Sequence, residues 1–232
     1  MKKYIILTLL SVFLAVALYG QNIVNKQFTL LNYDLNLTTE FREDLQNLEP
    51  FFNSVEVHNK DSDDRLKAIM IHHIYYHLQE NLEDDLEINI LPINTFMQKV
   101  KYNDFGYPKT HINKALRVGG SRYYFKLDVT FDSMTEERKK NDPKLEGDIF
   151  FPTITINITV YNDEGVIPVE KWHGEKITYQ PYELNKRLFR KFVEPSELPP
   201  PPKLEENEKE QQSLFELYDS ALTELINNFL ED

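Results

Sequence analysis

The chain has no cysteine. That absence removes disulfides, thiolate-bound metals, a cysteine nucleophile and the lipid anchor of a lipoprotein. Glycine is scarce too, with seven residues in 232. No glycine-rich phosphate loop and no Gly-x-Ser-x-Gly elbow can be built from them. Gly119-Gly120-Ser121 stands at a helix–strand junction, where backbone geometry accounts for glycine. No internal repeat is present. Past residue 20 no apolar run is long enough to span a bilayer. Bases are outnumbered, 26 Lys and Arg against 38 Asp and Glu, for a net charge of −12. So acidic a chain repels phosphate backbones, which argues against nucleic acid as a partner.

At the N-terminus, Lys2 and Lys3 precede the compact apolar run YIILTLLSVFLAVAL, Tyr4 to Leu18. Ala15-Val16-Ala17 and Gly20-Gln21 offer two cleavage points. This is the layout of a secretory signal peptide over residues 1–20. Its fifteen residues fall short of the ~20 that a spanning helix needs. Export to the periplasm, the outer membrane or the exterior is the expectation, with no stable membrane span after cleavage. Losing the two leader lysines takes the charge from −12 to −14. Residues 194–232 hold eleven acids against Lys203 and Lys209, a solvating composition.

Periodicity predicts an α/β domain over 21–193. Asp61 to Asp64 supply N-cap candidates for a helix over about 63–84, whose Ala68, Ile71, Tyr75, Leu78 and Leu82 form one apolar stripe. FREDLQNLEPFF, Phe41 to Phe52, reads as a short helix stopped by Pro50. Leu86–Asn94 reads as a short buried strand, and Lys109–Arg117 as a short helix ending at Gly119-Gly120. Alternation marks strands in SRYYFKLDVTF and TITINITVY. The turn NDEG, Asn162 to Gly165, leads into a last strand, about 166–179, in which Pro168 and Gly174 mark an edge or a bulge. Tyr182–Phe192 reads as a basic helix. A Pro-rich acidic linker over 194–212 carries four consecutive prolines, which favour an extended polyproline II spacer. An amphipathic helix over 213–232 closes the chain. The expected fold is α+β: a mixed, roughly four-stranded sheet with one parallel crossover, an antiparallel meander, and helices mainly on one face.

Three features invite a functional reading. His73 and His77 lie opposite the apolar stripe, with Glu80 one turn on. That spacing can ligate zinc, although His73 is followed by Ile74 and not by the Glu of a metalloprotease helix. Trp172, with His173 beside it, could form a contact surface at the sheet edge. Lys186, Arg187, Arg190 and Lys191 could dock an acidic partner. No catalytic constellation and no cofactor motif emerge.

ILPIN (Ile90 to Asn94), GGSRYYFKLDV (Gly119 to Val129) and VYNDEGV (Val160 to Val166) are similar to landmarks of one group of envelope proteins. The group includes the curli-secretion channel subunit, the lipoprotein activators of penicillin-binding proteins and the N-terminal domain of the Tol-Pal translocation protein. Its members show a V-L-P-F strand, a helix ending in G-A-D-Y before a strand, and a D-x-x-T-G hairpin. The resemblance covers about residues 86–180. Gly120 and Arg122 replace the group's alanine and aspartate, the hairpin lacks its threonine, and the lipid-bearing cysteine is missing. The resemblance implies a non-catalytic domain that docks onto other envelope proteins. The alternatives are a metal-binding protein or metal-dependent hydrolase using His73, His77 and Glu80, and a small-ligand carrier. Intact mass of the exported protein should show a chain beginning at Leu18 or Gln21; a mature product that retains Tyr4–Leu18 contradicts the signal-peptide reading.

Overall fold

The computed structural model describes residues 26–57, 62–119, 121–142, 144–203 and 210–231. The leader, Asp61 and Gly120 lie outside the described residues. The class is α+β with a mixed sheet, as the periodicity predicts, but the sheet is larger. It holds seven strands among the described residues, in the order β3-β4-β1-β5-β7-β8, with β2 also on β1. These are β1 (Gln27–Leu37), β2 (Asn89–Ile90), β3 (Lys101–Tyr102), β4 (Pro108–Lys109), β5 (Tyr123–Ser133), β7 (Pro152–Asn162) and β8 (Glu170–Ile177). A separate ribbon pairs β6 (Ile149–Phe150) with β9 (Tyr182–Glu183).

The parallel pairing differs from the expected one. Leu86–Asn94 contributes only Asn89–Ile90 as strand, and the long parallel partner of β5 is β1. Strand β1 escapes a period-2 reading because it carries a bulge. Its register on β5 shifts between Leu30 and Asn32, so Leu31 is the extra residue. Phe28 and Leu30 face one way; Tyr33, Leu35 and Leu37 regain that face only after the slip. Leu31 itself packs on the other side of the sheet with Tyr124 and Tyr161. A bulge of this kind breaks sequence alternation while keeping the core face apolar.

The principal core face carries Phe125, Leu127, Val129 and Phe131 of β5 and Ile154, Ile156, Ile158 and Val160 of β7. Two long helices cover it, α3 (Arg65–Asp85) and α6 (Leu214–Glu231). All five members of the predicted stripe on α3 are buried. Asp64 caps this helix by accepting the Lys67 amide at 3.1 Å. Two buried tyrosines reach the α3 backbone from opposite sides: the Tyr33 hydroxyl donates to the Ile71 carbonyl at 3.1 Å and the Tyr218 hydroxyl to that of Ile74 at 2.9 Å. The helix is thereby fixed between β1 and α6. The sheet's other face is polar at its centre, where Asp34, Asp128, Asn157 and His173 stand in register across four strands. At one end it is covered by the short α4 (Ile112–Val118), through Ile112 and Ala115. Helices therefore lie mainly, but not solely, on one face.

Pro50 does not stop a helix. The Phe41–Phe52 stretch splits into α1 (Thr39–Asp44), a 3₁₀ turn (Gln46–Leu48) and α2 (Glu49–Ser54), with Pro50 in the first turn of α2. There its missing N–H has no helical partner to lose. The polar excursion after β5 also contains a helix, α5 (Thr135–Asn141).

Gly174 stands on an edge strand, β8, one of the two alternatives its sequence suggested. A Cβ placed there would lie 2.1 Å from the Ala221 carbonyl oxygen and 2.7 Å from the Leu225 Cβ. Helix α6 rests directly on edge strand β8, and the Asn228 amide donates to the His173 carbonyl at 3.2 Å. Covering an edge strand with a helix blocks its pairing with another chain. Trp172, expected as an edge contact, is instead 5% exposed. Its ring packs on Phe28 and Phe229, and its indole N–H donates to Glu170 at 2.8 Å. Replacing Gly174 with Ala should cost about 1–3 kcal/mol, a Tm loss of roughly 3–10 °C. Gly165→Ala, with nothing within 4 Å, should leave Tm nearly unchanged. Thermal unfolding by circular dichroism compares the two.

Candidate functional site

The three histidines of the Ile71–His77 stretch point to three different places. His72 Nδ1 lies 2.8 Å from the buried Tyr107 hydroxyl. His77 Nε2 lies 2.6 Å from an Asp219 carboxylate oxygen, and its ring lies tilted against that of Phe215, centres 4.7 Å apart. His73 is exposed at the edge of Phe192, ring centres 6.1 Å apart. The groove walls still remove part of this ring's water, which pushes its pKa below the ordinary imidazole value, and the negative charge of Glu194 opposes that shift. His73, His77 and Glu80 share one groove but do not converge. Among the described residues no three His, Asp or Glu side chains are placed to hold a metal ion. The zinc arrangement suggested by the spacing is not assembled, because His77 is engaged across the helix interface by α6.

The basic segment is also engaged within the chain. It is not a helix but a 3₁₀ turn, Lys186–Phe189. Arg187 pairs with Glu210; Arg190 pairs with Glu210 and with Glu216, both at 2.6 Å; Lys191 stands 3.9 Å from Glu216. Lys186 lies over the Phe51 ring at 5.3 Å. For three of these four cations, Arg187, Arg190 and Lys191, the acidic partner is the protein's own C-terminal segment, and opposite charges half-removed from water prefer each other to a distant ligand. Glu216 joins this cluster to α6. Its carboxylate accepts the Ser213 amide at 2.8 Å while the Ser213 hydroxyl accepts the Glu216 amide at 3.2 Å, a reciprocal cap of the helix start.

After Arg190 the chain turns sharply. Lys191 has φ +73°, a left-handed conformation uncommon for a side-chain-bearing residue, and the Phe192 amide donates back to the Phe189 carbonyl at 2.9 Å. This turn carries Phe192 onto the α3 face beside His73. The proline run that follows does not stand away as a spacer. Arg187 donates to the Pro199 carbonyl at 2.8 Å, and Glu197 accepts the Glu56 amide at 3.1 Å.

These segments enclose two adjoining grooves. One, of about 580 Å³, runs between α3 and Phe192, past Tyr76, His73, His77 and Glu80. The other, of about 540 Å³, runs between the Arg187–Phe192 turn and Pro199–Pro201. Both are bordered by Glu56, His73, Lys191 and Phe192, so they form one trough. Sequence reasoning reached His73, His77, Glu80 and the basic turn. It missed Tyr76, Phe192 and Phe215, which no shared periodicity links. A separate exposed apolar feature is the β7–β8 hairpin tip, where Val166, Ile167 and Val169 meet solvent. A third groove, beside α1 and α2, is lined by Arg42 and Asp64, which bond to each other at 2.6 Å.

No family model and no curated protein matches the chain. Among solved structures it is similar to a hypothetical protein of Chlamydia trachomatis, at 6% identity and a TM-score of 0.27 over 66% of this chain and 74% of that one. No helix among the described residues is long and apolar enough to cross a membrane.

The ion-pair cluster has a pH signature. Arg187 holds Glu210 below its ordinary value by hydrogen bonding and charge, against a smaller effect of burial. For Glu216 burial acts upward, but the Ser213 amide and the Arg190 hydrogen bond and charge outweigh it and hold it low. Carboxylates depressed on folding stabilise above their unfolded pKa, about 4.5 for glutamate, and lose that contribution as pH falls through the lower folded value. Stability should therefore decline below about pH 4.5, and Glu216→Gln should flatten the decline. Tm measured from pH 3 to 6 for both proteins checks this.

Proposed function

We propose that this chain is an exported, non-enzymatic protein of the cell envelope that acts as a protein–protein interaction module, with the trough beside His73 as its contact face. The observation that carries the reading is the trough itself. Two grooves share a border and are lined by side chains from α3, the Arg187–Phe192 turn and the proline run, with Tyr76, His73 and Glu80 exposed among them. The surfaces that the sequence offered for a partner are engaged within the fold: Trp172 under α6, the basic turn on Glu210 and Glu216, and the apolar face of α6 on the sheet. The leader pattern supports export. The resemblance of residues 86–180 to envelope docking domains supports the compartment and the binding role.

A carrier of one small amphipathic ligand is the second reading. The larger groove, about 580 Å³, falls in the ~300–1,000 Å³ range of small-molecule sites. The two readings separate experimentally. A photo-crosslinking residue at position 76 should yield a discrete protein adduct in the cell, and one at position 136 on α5 should not. Substituting Tyr76 and His73 with Ala together should remove the partner without moving Tm, since both side chains are exposed. No adduct at position 76, together with a co-purified small molecule in native mass spectrometry, would favour the carrier and end the interaction reading.

A further inference from the structure

The trough has a charge preference that its composition conceals. Arg187, Arg190 and Lys191 border it, yet each pairs with Glu210 or Glu216, neither of which lines it. Lys191 also lies over the Phe215 ring at 5.3 Å. The three cations along the trough thus share two carboxylates from outside it, which leaves a single positive charge on that border. Three of its own carboxylates have no such pairing. Glu80 stands at one end and Glu194 and Glu197 at the other, and none of the three has a side-chain cation partner among the described residues. Glu197 accepts only backbone amides, from Glu56 and Glu194, which leaves its charge uncompensated. His73 lies between the two ends, where partial burial disfavours its charged form. The wall adds Tyr76, 57% exposed, whose ring face suits the long apolar stem and cationic head of Lys or Arg. The whole chain, at −12, attracts a basic partner from a distance.

We infer that the trough accepts a basic segment of a partner protein, with a Lys or Arg side chain lying along Tyr76 and the segment's charges against Glu80 at one end and Glu194 and Glu197 at the other. This inference rests on the interaction-module reading and supplies the partner's chemistry.

The test uses the purified exported chain and two fluorescein-labelled peptides, one alternating arginine and serine and the other alternating glutamate and serine. Fluorescence anisotropy should show the arginine peptide binding and its glutamate twin not binding, with affinity falling as salt is raised. Glu80→Gln and Glu194→Gln should each weaken binding about two- to fivefold, and Glu194→Lys should weaken it further. Glu224→Gln, an exposed change on α6, should leave it unaltered. Equal binding of the two peptides, no binding of either, or an equal loss with Glu224→Gln would each overturn the inference. The last would trace binding to diffuse acidity. A protein adduct at position 76 combined with any of these results keeps the interaction reading and removes only the basic-partner assignment.

Discussion

Most of the tertiary arrangement follows from the missing side chain at Gly174. Only a bare backbone lets α6 sit so low on edge strand β8 that a Cβ would touch the Ala221 carbonyl. With the helix seated there, Trp172 is roofed by Phe229, Leu225 and Ala221 enter the core, and Tyr218 reaches the α3 backbone. The helix start then lies beside the Arg187–Lys191 turn, and Glu216 can cap the helix and bind Arg190 in one arrangement. A short-range steric permission thus fixes the position of charges far from it in sequence.

The trough is a product of that arrangement. Its floor and one wall come from α3, held by Tyr33 from below and Tyr218 from the side. The opposite wall is Phe192, brought round by the left-handed Lys191 and kept in place by Phe215, 5.3 Å away. The histidines that look like a metal set along one helix are separated by what packs on that helix. Tyr107 engages His72, Asp219 engages His77, and His73 is left at the groove edge. Ion pairing inside the chain has the further effect of weakening the apparent polarity of the surface: a basic stretch in the sequence is largely offset by Glu210 and Glu216, and the carboxylates beside it weigh more in the field.

Legibility varied with the strength of the local signal. Helix α3 and strands β5 and β7 could be read directly, since their apolar periods are long and unbroken and survive in the burial pattern. Strand β1 could not, although it is central and equally long, because the bulge at Leu31 shifts its phase halfway. Pro50 was ambiguous for a different reason. The residue that ends one helix is also well suited to begin another, and only the packing of Phe51 and Phe52 in the core decides which happens. The basic turn was visible as charge, but its partners Glu210 and Glu216 lie beyond the proline run, where no spacing rule connects them.

By itself the sequence determined the mixed helix-and-strand class, the main apolar faces, the cap of α3 and the presence of a terminal helix with one face to bury. These depend on residues near one another in the chain, whose preferences are set by backbone sterics and by side-chain period. Only the tertiary structure decided which strand β5 would pair with in parallel, where α6 would lie, which histidine would remain at the groove, and which charges would stay unpaired. Those outcomes turn on which distant groups meet, and a meeting between distant groups is settled by close packing and electrostatic pairing in three dimensions.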